Sequence, residues 1–296
     1  MKWLLRLIQG MAVGIANIIP GVSGGTMAVV LGIYERLTES IGEFFFNKEK
    51  RREYFVFLFF IIIGAGIGVL LFARIFTLLF TDAVTRFPTY LFFIGLIAGS
   101  IPTVFRIHGD MRPSIIRAIM LLLGIAGVLA TYTLKGSGEA AIELEVISKL
   151  PAGITITSIS PGYAVWLVFC GFAAAGSMII PGFSGSALLI SLGEYHNIIA
   201  FLDGRMIIPL GFLILGIIPG VLFIAKIIHF VLERYPAPTF YFITGLLIGS
   251  MGQIGMEAQP DFRCASLPII IGLTAVIIGY ALSAFLGRKP SDKNKS

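Results

Sequence analysis

The sequence predicts an all-α polytopic membrane protein with an inverted-topology repeat, each half made of one re-entrant broken helix hairpin and three transmembrane helices. Three observations carry this. Of 296 residues, 57% are hydrophobic and 13% charged, with a mean hydropathy of +0.95, far more apolar than a water-soluble domain. Apolar runs long enough to cross ~30 Å of hydrocarbon as helices recur along the chain. Two more apolar stretches are interrupted at their centres by the same Pro-Gly-x-Ser-Gly pattern, once in each half. A water-soluble enzyme is thereby excluded.

Taken in order, the first half (1–134) opens with a re-entrant segment, 3–34, broken at Pro20-Gly21-Val22-Ser23-Gly24-Gly25. Spans follow at 54–80, 88–105 and 114–134, and an outer connecting loop occupies 135–160. The second half (161–287) has its re-entrant segment at 163–202, broken at Pro181-Gly182-Phe183-Ser184-Gly185-Ser186, then spans at 206–232, 238–256 and 267–287. Residues 288–296 form a cytoplasmic tail.

Charge placement decides that the broken segments return rather than cross. With re-entry, fifteen Lys and Arg lie inside, including the run Lys48, Lys50, Arg51, Arg52, against five outside, as expected if basic residues are retained on the cytoplasmic side. Crossing would put that run outside while Lys2 and Arg6 stayed inside. The chain is therefore expected in the cytoplasmic (inner) membrane with both termini cytoplasmic. The basic start resembles a signal peptide, but the same stretch recurs in mid-chain. The net charge of +6 sits at helix ends, not in a patch, so no nucleic-acid partner is expected. Cys170 and Cys264 lack CxxC spacing and nearby His ligands, which supports neither a disulfide framework, a zinc site nor redox chemistry. No cofactor and no metal are expected.

The repeat is legible residue by residue. Shifted by 161, residues 12–34 fall on 173–195 with ten of 23 identical; shifted by 152, residues 64–75 fall on 216–227 with six of twelve identical. A shift of 150 aligns Pro88 to Ser100 with Pro238 to Ser250. An odd number of crossings per half turns the second copy upside down, the architecture of alternating-access transporters.

Chemistry follows from the breaks. Non-helical backbone at membrane depth leaves N–H and C=O groups that cost several kcal/mol each unless partnered. In the first break the proline ends one half-helix and Thr26 begins the next. Glycine amides and hydroxyls at a helix N-terminus favour an anion. Ser23, Gly24, Gly25 and Thr26, with Ser184, Gly185 and Ser186, are the candidate phosphate-binding residues. Close helix packing explains such small residues too, and better explains Gly95, Gly99, Gly245 and Gly249, but packing needs no matched proline break in both halves.

Charged residues inside hydrocarbon are functional candidates by default. Arg74 and Lys226 occupy matched positions, each near enough to a span end to snorkel. Glu35 and Glu194 are candidates for a coupling proton, or for solvated helix ends. Arg112 and Arg117 are placed to meet an anionic headgroup, or only to orient a span. Asn17 either donates to a ligand or caps exposed backbone.

The run Gly10 to Gly14, then Ile19-Pro20-Gly21-Val22-Ser23-Gly24-Gly25-Thr26 and Leu31-Gly32-Ile33-Tyr34-Glu35-Arg36, closely resembles the signature of the PopT polyprenyl-phosphate translocases. Ile180 to Ser186, Leu192 to Tyr195 and Phe92 to Ser100 also resemble family segments, so the resemblance spans nearly the whole chain. It implies a membrane lipid transporter, not an enzyme, returning undecaprenyl phosphate to the cytoplasmic leaflet for envelope polymer synthesis, peptidoglycan included. Its partners would be the polyprenyl-phosphate lipid and the bilayer. Family members are expected to carry Asp where this chain has Asn17, which removes a proton-binding role there.

Two rivals stand beside transport of a lipid. An intramembrane polyprenyl-diphosphate phosphatase would share the re-entrant design but needs an Arg near the turn and carboxylates for acid–base or metal work. A secondary transporter of a small anion would have a cavity opening only to water, whereas a tailed substrate requires a sideways opening to lipid.

Overall fold

A computed structural model describes residues 2–19, 22–81, 83–107, 111–133, 144–150, 153–258 and 267–286. The chain is mostly helical. In the first half run α1 (Lys2–Ile18), α2 (Gly24–Val30), α3 (Tyr34–Gly42), α4 (Arg51–Thr81), α5 (Ala83–Ile107) and α6 (Ile115–Thr133). A two-stranded antiparallel hairpin follows, β1 (Val146–Lys149) and β2 (Thr155–Thr157). The second half repeats the order as α7 (Pro161–Ile179), α8 (Gly185–Ser191), α9 (Tyr195–Asp203), α10 (Ile207–Arg234), α11 (Pro236–Glu257) and α12 (Leu267–Leu286).

Helices occupy all six apolar runs. Among the described residues, four segments are long and apolar enough to cross a membrane: Arg51–Ala73, Pro161–Ile179, Ile207–Arg234 and Pro236–Glu257. Shorter apolar helices cover Trp3–Ile18, Ile115–Ala130 and Ile270–Phe285. Thus α7, read from sequence as one arm of a broken hairpin, is itself long enough to span.

Glycines decide which helices touch. Within the halves, α1 packs along α4 and α7 along α10; between them, α5 packs along α12 and α6 along α11. A Cβ on Gly64 would lie 2.2 Å from the Leu7 carbonyl oxygen and one on Gly68 2.3 Å from that of Met11. Their counterparts Gly216 and Gly220 meet the carbonyls of Val168 and Phe172 at 1.9 and 2.3 Å. No side chain fits there. Gly95 against Val276 and Gly245 against Leu121 do the same for the contacts between halves, with carbonyl oxygens at 2.2 and 2.0 Å. Backbones without side chains between them approach closely, which is how helices gain dispersion energy where lipid offers no hydrophobic drive.

The short helices carry the breaks to the centre. Every residue of α2 is buried, whereas only Gly185 and Ala187 of α8 are. Both helices stop in the same way. Gly32 (φ +66°) and Gly193 (φ +76°) take the left-handed conformation. Gly32 and Ile33 donate back to Val29 and Ala28, as Gly193 and Glu194 do to Ile190 and Leu189. This is the Schellman stop, which favours glycine because it lacks a Cβ.

Candidate functional site

The helix after the first break begins at Gly24, two residues earlier than its sequence suggested, because Ser23 caps it. Its Oγ accepts from the Thr26 amide at 3.1 Å, satisfying one of the donors a helix start leaves open. The Gly24 amide donates to Asn17 Oδ1 at 2.8 Å. Of the two sequence readings for Asn17, capping of exposed backbone is what this contact does. Ser23 and Thr26 are buried, at 3% and 0% exposure, and their hydroxyls lie 3.0 Å apart.

The second break turns at Pro181-Gly182. Phe183 donates to the Ile180 carbonyl at 3.3 Å and Gly182 has φ +83°, a type II turn in which proline presets the first corner and glycine permits the second. Ser184 caps α8, accepting from the Ala187 amide at 3.4 Å. Its hydroxyl lies 2.8 Å from that of Ser186, which is exposed.

The two breaks touch. The Gly182 amide donates to both Ser23 Oγ (3.1 Å) and Thr26 Oγ1 (2.8 Å). A Cβ on Gly25 would lie 2.8 Å from the Ile179 carbonyl oxygen, and the buried Tyr34 hydroxyl donates to that same carbonyl at 3.1 Å. Hydroxyls at Ser23 and Thr26 therefore serve the opposite break. Among the described residues, those at Ser184 and Ser186 pair within their own break.

Beside this junction lies a cavity of about 500 Å³. Asn17, Ser23, Gly24 and Gly25 line it from the first break, and Ser184, Gly185 and Ser186 from the second. Its remaining walls come from α1, α3, α4, α7, α8 and α10 and are apolar, among them Ile61, Ala65, Ala174 and Val221. Among the described residues, none that lines it is ionisable. Thr26 is absent from the lining. The arrangement offers a few neutral hydroxyl, carboxamide and amide groups at one end of an oily chamber, which suits a small polar head carried on an apolar body.

Residues 13–261 match the VCA0040-like family, described as undecaprenyl phosphate translocase-like. The chain belongs to this family. A polyprenyl-phosphate transporter of Staphylococcus aureus (strain NCTC 8325 / PS 47) is 29% identical over 97% of this chain and 96% of its own length. One of Vibrio cholerae serotype O1 (strain ATCC 39315 / El Tor Inaba N16961) is 30% identical over 86% of this chain and 78% of its own. No solved structure matches.

In this translocase-like chain the described side chains of the other sequence candidates do not line the cavity. Lys226 Nζ sits 3.0 Å from the centre of the Phe46 ring. Arg117 donates to the Arg112 carbonyl. Glu35 borders a polar cleft with Glu39, His229 and Glu233. In that cleft burial pushes the Glu39 carboxyl up, but hydrogen bonds from Tyr54 (2.8 Å) and Lys50 (3.2 Å) outweigh it and hold it below the usual carboxylate range. Arg74 belongs to α4, and its side chain lies outside the described residues, as do Cys264 and the tail from 287.

Glu194 is the surprise. Only 4% exposed, its carboxylate accepts from the Tyr163 hydroxyl (2.7 Å), Trp166 Nε1 (2.9 Å) and Asn197 Nδ2 (3.1 Å). Three neutral donors replace water around the buried carboxyl group. Sequence singles out the acid but not its donors, of which Tyr163 and Trp166 lie 31 and 28 residues before it and Asn197 three after it. Tyr34, which falls on Tyr195 in the repeat, reaches the other break through a contact that no sequence spacing signals.

Proposed function

We propose that this protein carries undecaprenyl phosphate, or a closely similar polyprenyl phosphate, across the cytoplasmic membrane and returns the carrier to the cytoplasmic leaflet for envelope polymer synthesis. The observation that carries the reading is the single cavity shared by both breaks, polar only where the breaks meet it and apolar elsewhere. The names of the family and of its relatives point the same way.

The physical problem is the headgroup. An unshielded phosphate in hydrocarbon costs a prohibitive solvation energy, while the polyprenyl tail stays in lipid throughout. Ser184, Gly185 and Ser186 meet the phosphate in the state seen here, with Asn17 at the opposite wall. Ser23, Gly24, Gly25 and Thr26 take part when the junction between the breaks opens. The two halves act as inverted repeats with re-entrant hairpins, and their rocking moves access between leaflets. Neutral donors hold a phosphate firmly enough to take it from water and loosely enough to release it.

The lining also weighs against the rivals. Phosphoester hydrolysis needs a charged or acid–base group at the phosphate, and the lining holds none among the described residues. A small soluble anion needs no oily chamber walled by residues such as Ile62 and Met178, which are 66% and 42% exposed. In this reading the tail leaves the cavity past those two residues.

Reconstitution tests the reading. The purified chain in liposomes is expected to move undecaprenyl phosphate between leaflets, and Ser184→Ala with Ser186→Ala to slow that movement about tenfold, the equivalent of one lost hydrogen bond to a charged group. Transport at the wild-type rate by the double variant would remove these hydroxyls from the site. Release of phosphate from a diphosphate lipid by the purified protein would favour the enzyme instead.

A further inference from the structure

We propose that Arg6 and Arg36 form a second phosphate-headgroup site, beyond the cavity wall built by α1, α3 and α4, where the carried lipid docks before or after it occupies the cavity. The inference rests on the polyprenyl-phosphate reading and adds to it a cationic station that the cavity itself lacks.

The two guanidinium groups share one platform. Arg6 Cζ lies 5.5 Å and Arg36 Cζ 4.9 Å from the centre of the Phe57 ring, and Phe57 is 1% exposed. Arg6 also lies over Trp3, at 4.8 Å. Two like charges held by one ring repel each other, and a doubly charged anion between them turns that repulsion into attraction.

Arg6 has an unmet need. Its Nη1 is shut off from solvent and has no hydrogen-bond partner, and no carboxylate pairs with it among the described residues. Buried guanidinium edges without an acceptor are costly, because the water they lose is not replaced. A basic residue kept only to fix orientation would need its charge and nothing else. Arg36 has a partner of a telling kind: its Nη2 donates to Glu53 Oε1 at 2.6 Å, with the two side chains 40% and 60% exposed. Exposed pairs contribute little to stability, so the Glu53 carboxylate is a displaceable occupant where phosphate oxygens would bind the guanidinium fork.

Position links the pair to transport. Leu37, Ile61 and Val13 line the cavity. Leu37 is the next residue after Arg36, Ile61 is one helical turn beyond Phe57, and Val13 is two turns beyond Arg6, or ~10 Å along the helix. A headgroup leaving the neutral hydroxyls thus meets cations a short step away along the same three helices, with its tail still in lipid.

The test is a titration of the full chain in nanodiscs, with Trp166→Phe so that Trp3 reports alone. Undecaprenyl phosphate is expected to change Trp3 emission saturably, undecaprenol to leave it unchanged, and inorganic phosphate to bind at least tenfold more weakly. Arg6→Gln and Arg36→Gln should each weaken the lipid phosphate about tenfold. Glu53→Gln should strengthen it, the opposite of what loss of a purely structural ion pair would do. Unchanged affinity in both arginine variants, or weaker binding in Glu53→Gln, overturns this site while leaving the transport reading in place. Inorganic phosphate binding as tightly as the lipid overturns the assignment to a lipid headgroup. A wild-type chain that binds no undecaprenyl phosphate overturns both readings together.

Discussion

At the residue scale, Thr26 and Ala187 divide the two breaks. They occupy equivalent repeat positions, yet Thr26 supplies a hydroxyl acceptor to the Gly182 amide and Ala187 has none to offer in return. The first break can therefore close on the second with two hydroxyls, Ser23 and Thr26. At the two equivalent positions a reciprocal closure would have only the Ser184 hydroxyl, with that of Ser186 beside it. Thr26→Ala leaves Gly182 its bond to Ser23 and is expected to cost about 1 kcal/mol, the net worth of one hydrogen bond, read as a lower melting temperature in detergent. A melting temperature equal to wild type would show that the junction does not depend on Thr26. Sequence identified Ser23 and Thr26 as phosphate donors because hydroxyls beside a glycine break suit an anion. In the structure both accept from the Gly182 amide of the other half, and spacing cannot separate these uses, since chain amide and ligand ask for the same side chain.

Elements show the same division between what periodicity carries and what it does not. The six apolar runs were legible because length and hydropathy alone define them. The helix α3 was not, since Glu35, Arg36 and Glu39 make its nine residues polar, whereas its apolar counterpart α9 fell within the segment 163–202. The hairpin β1–β2 was read as connecting loop, because β1 is exposed along its whole length and carries no alternation. Helix partners were hidden too, as an all-round apolar helix does not declare its packing face. Glycine seams supply that information. Gly216→Ala would set a Cβ 1.9 Å from the Val168 carbonyl oxygen and is expected to cost ~1–3 kcal/mol by overpacking between α7 and α10. Gly66→Ala on α4, with nothing within 4 Å of the new Cβ, is expected to be neutral or stabilising. Thermal melts of the two variants compare them, and equal losses would refute the seam.

For the whole molecule, the proposed mechanism needs one asymmetric cavity between two halves of opposite orientation. Orientation is open to labelling in a cysteine-free chain. Ile147→Cys, 64% exposed in the wild-type residue on β1, should react with an impermeant thiol reagent on intact cells, and Lys48→Cys only after permeabilisation. Reaction of both from the same side would contradict the inverted arrangement. The central claim, that a lipid phosphate sits where the two helix breaks meet, is tested most directly by an experimental structure of the chain bound to undecaprenyl phosphate. The account predicts phosphate oxygens within hydrogen-bond distance of Ser184 or Ser186, and a tail leaving past Ile62 and Met178. A headgroup that avoids both breaks, or a cavity walled off from lipid on every side, would contradict it.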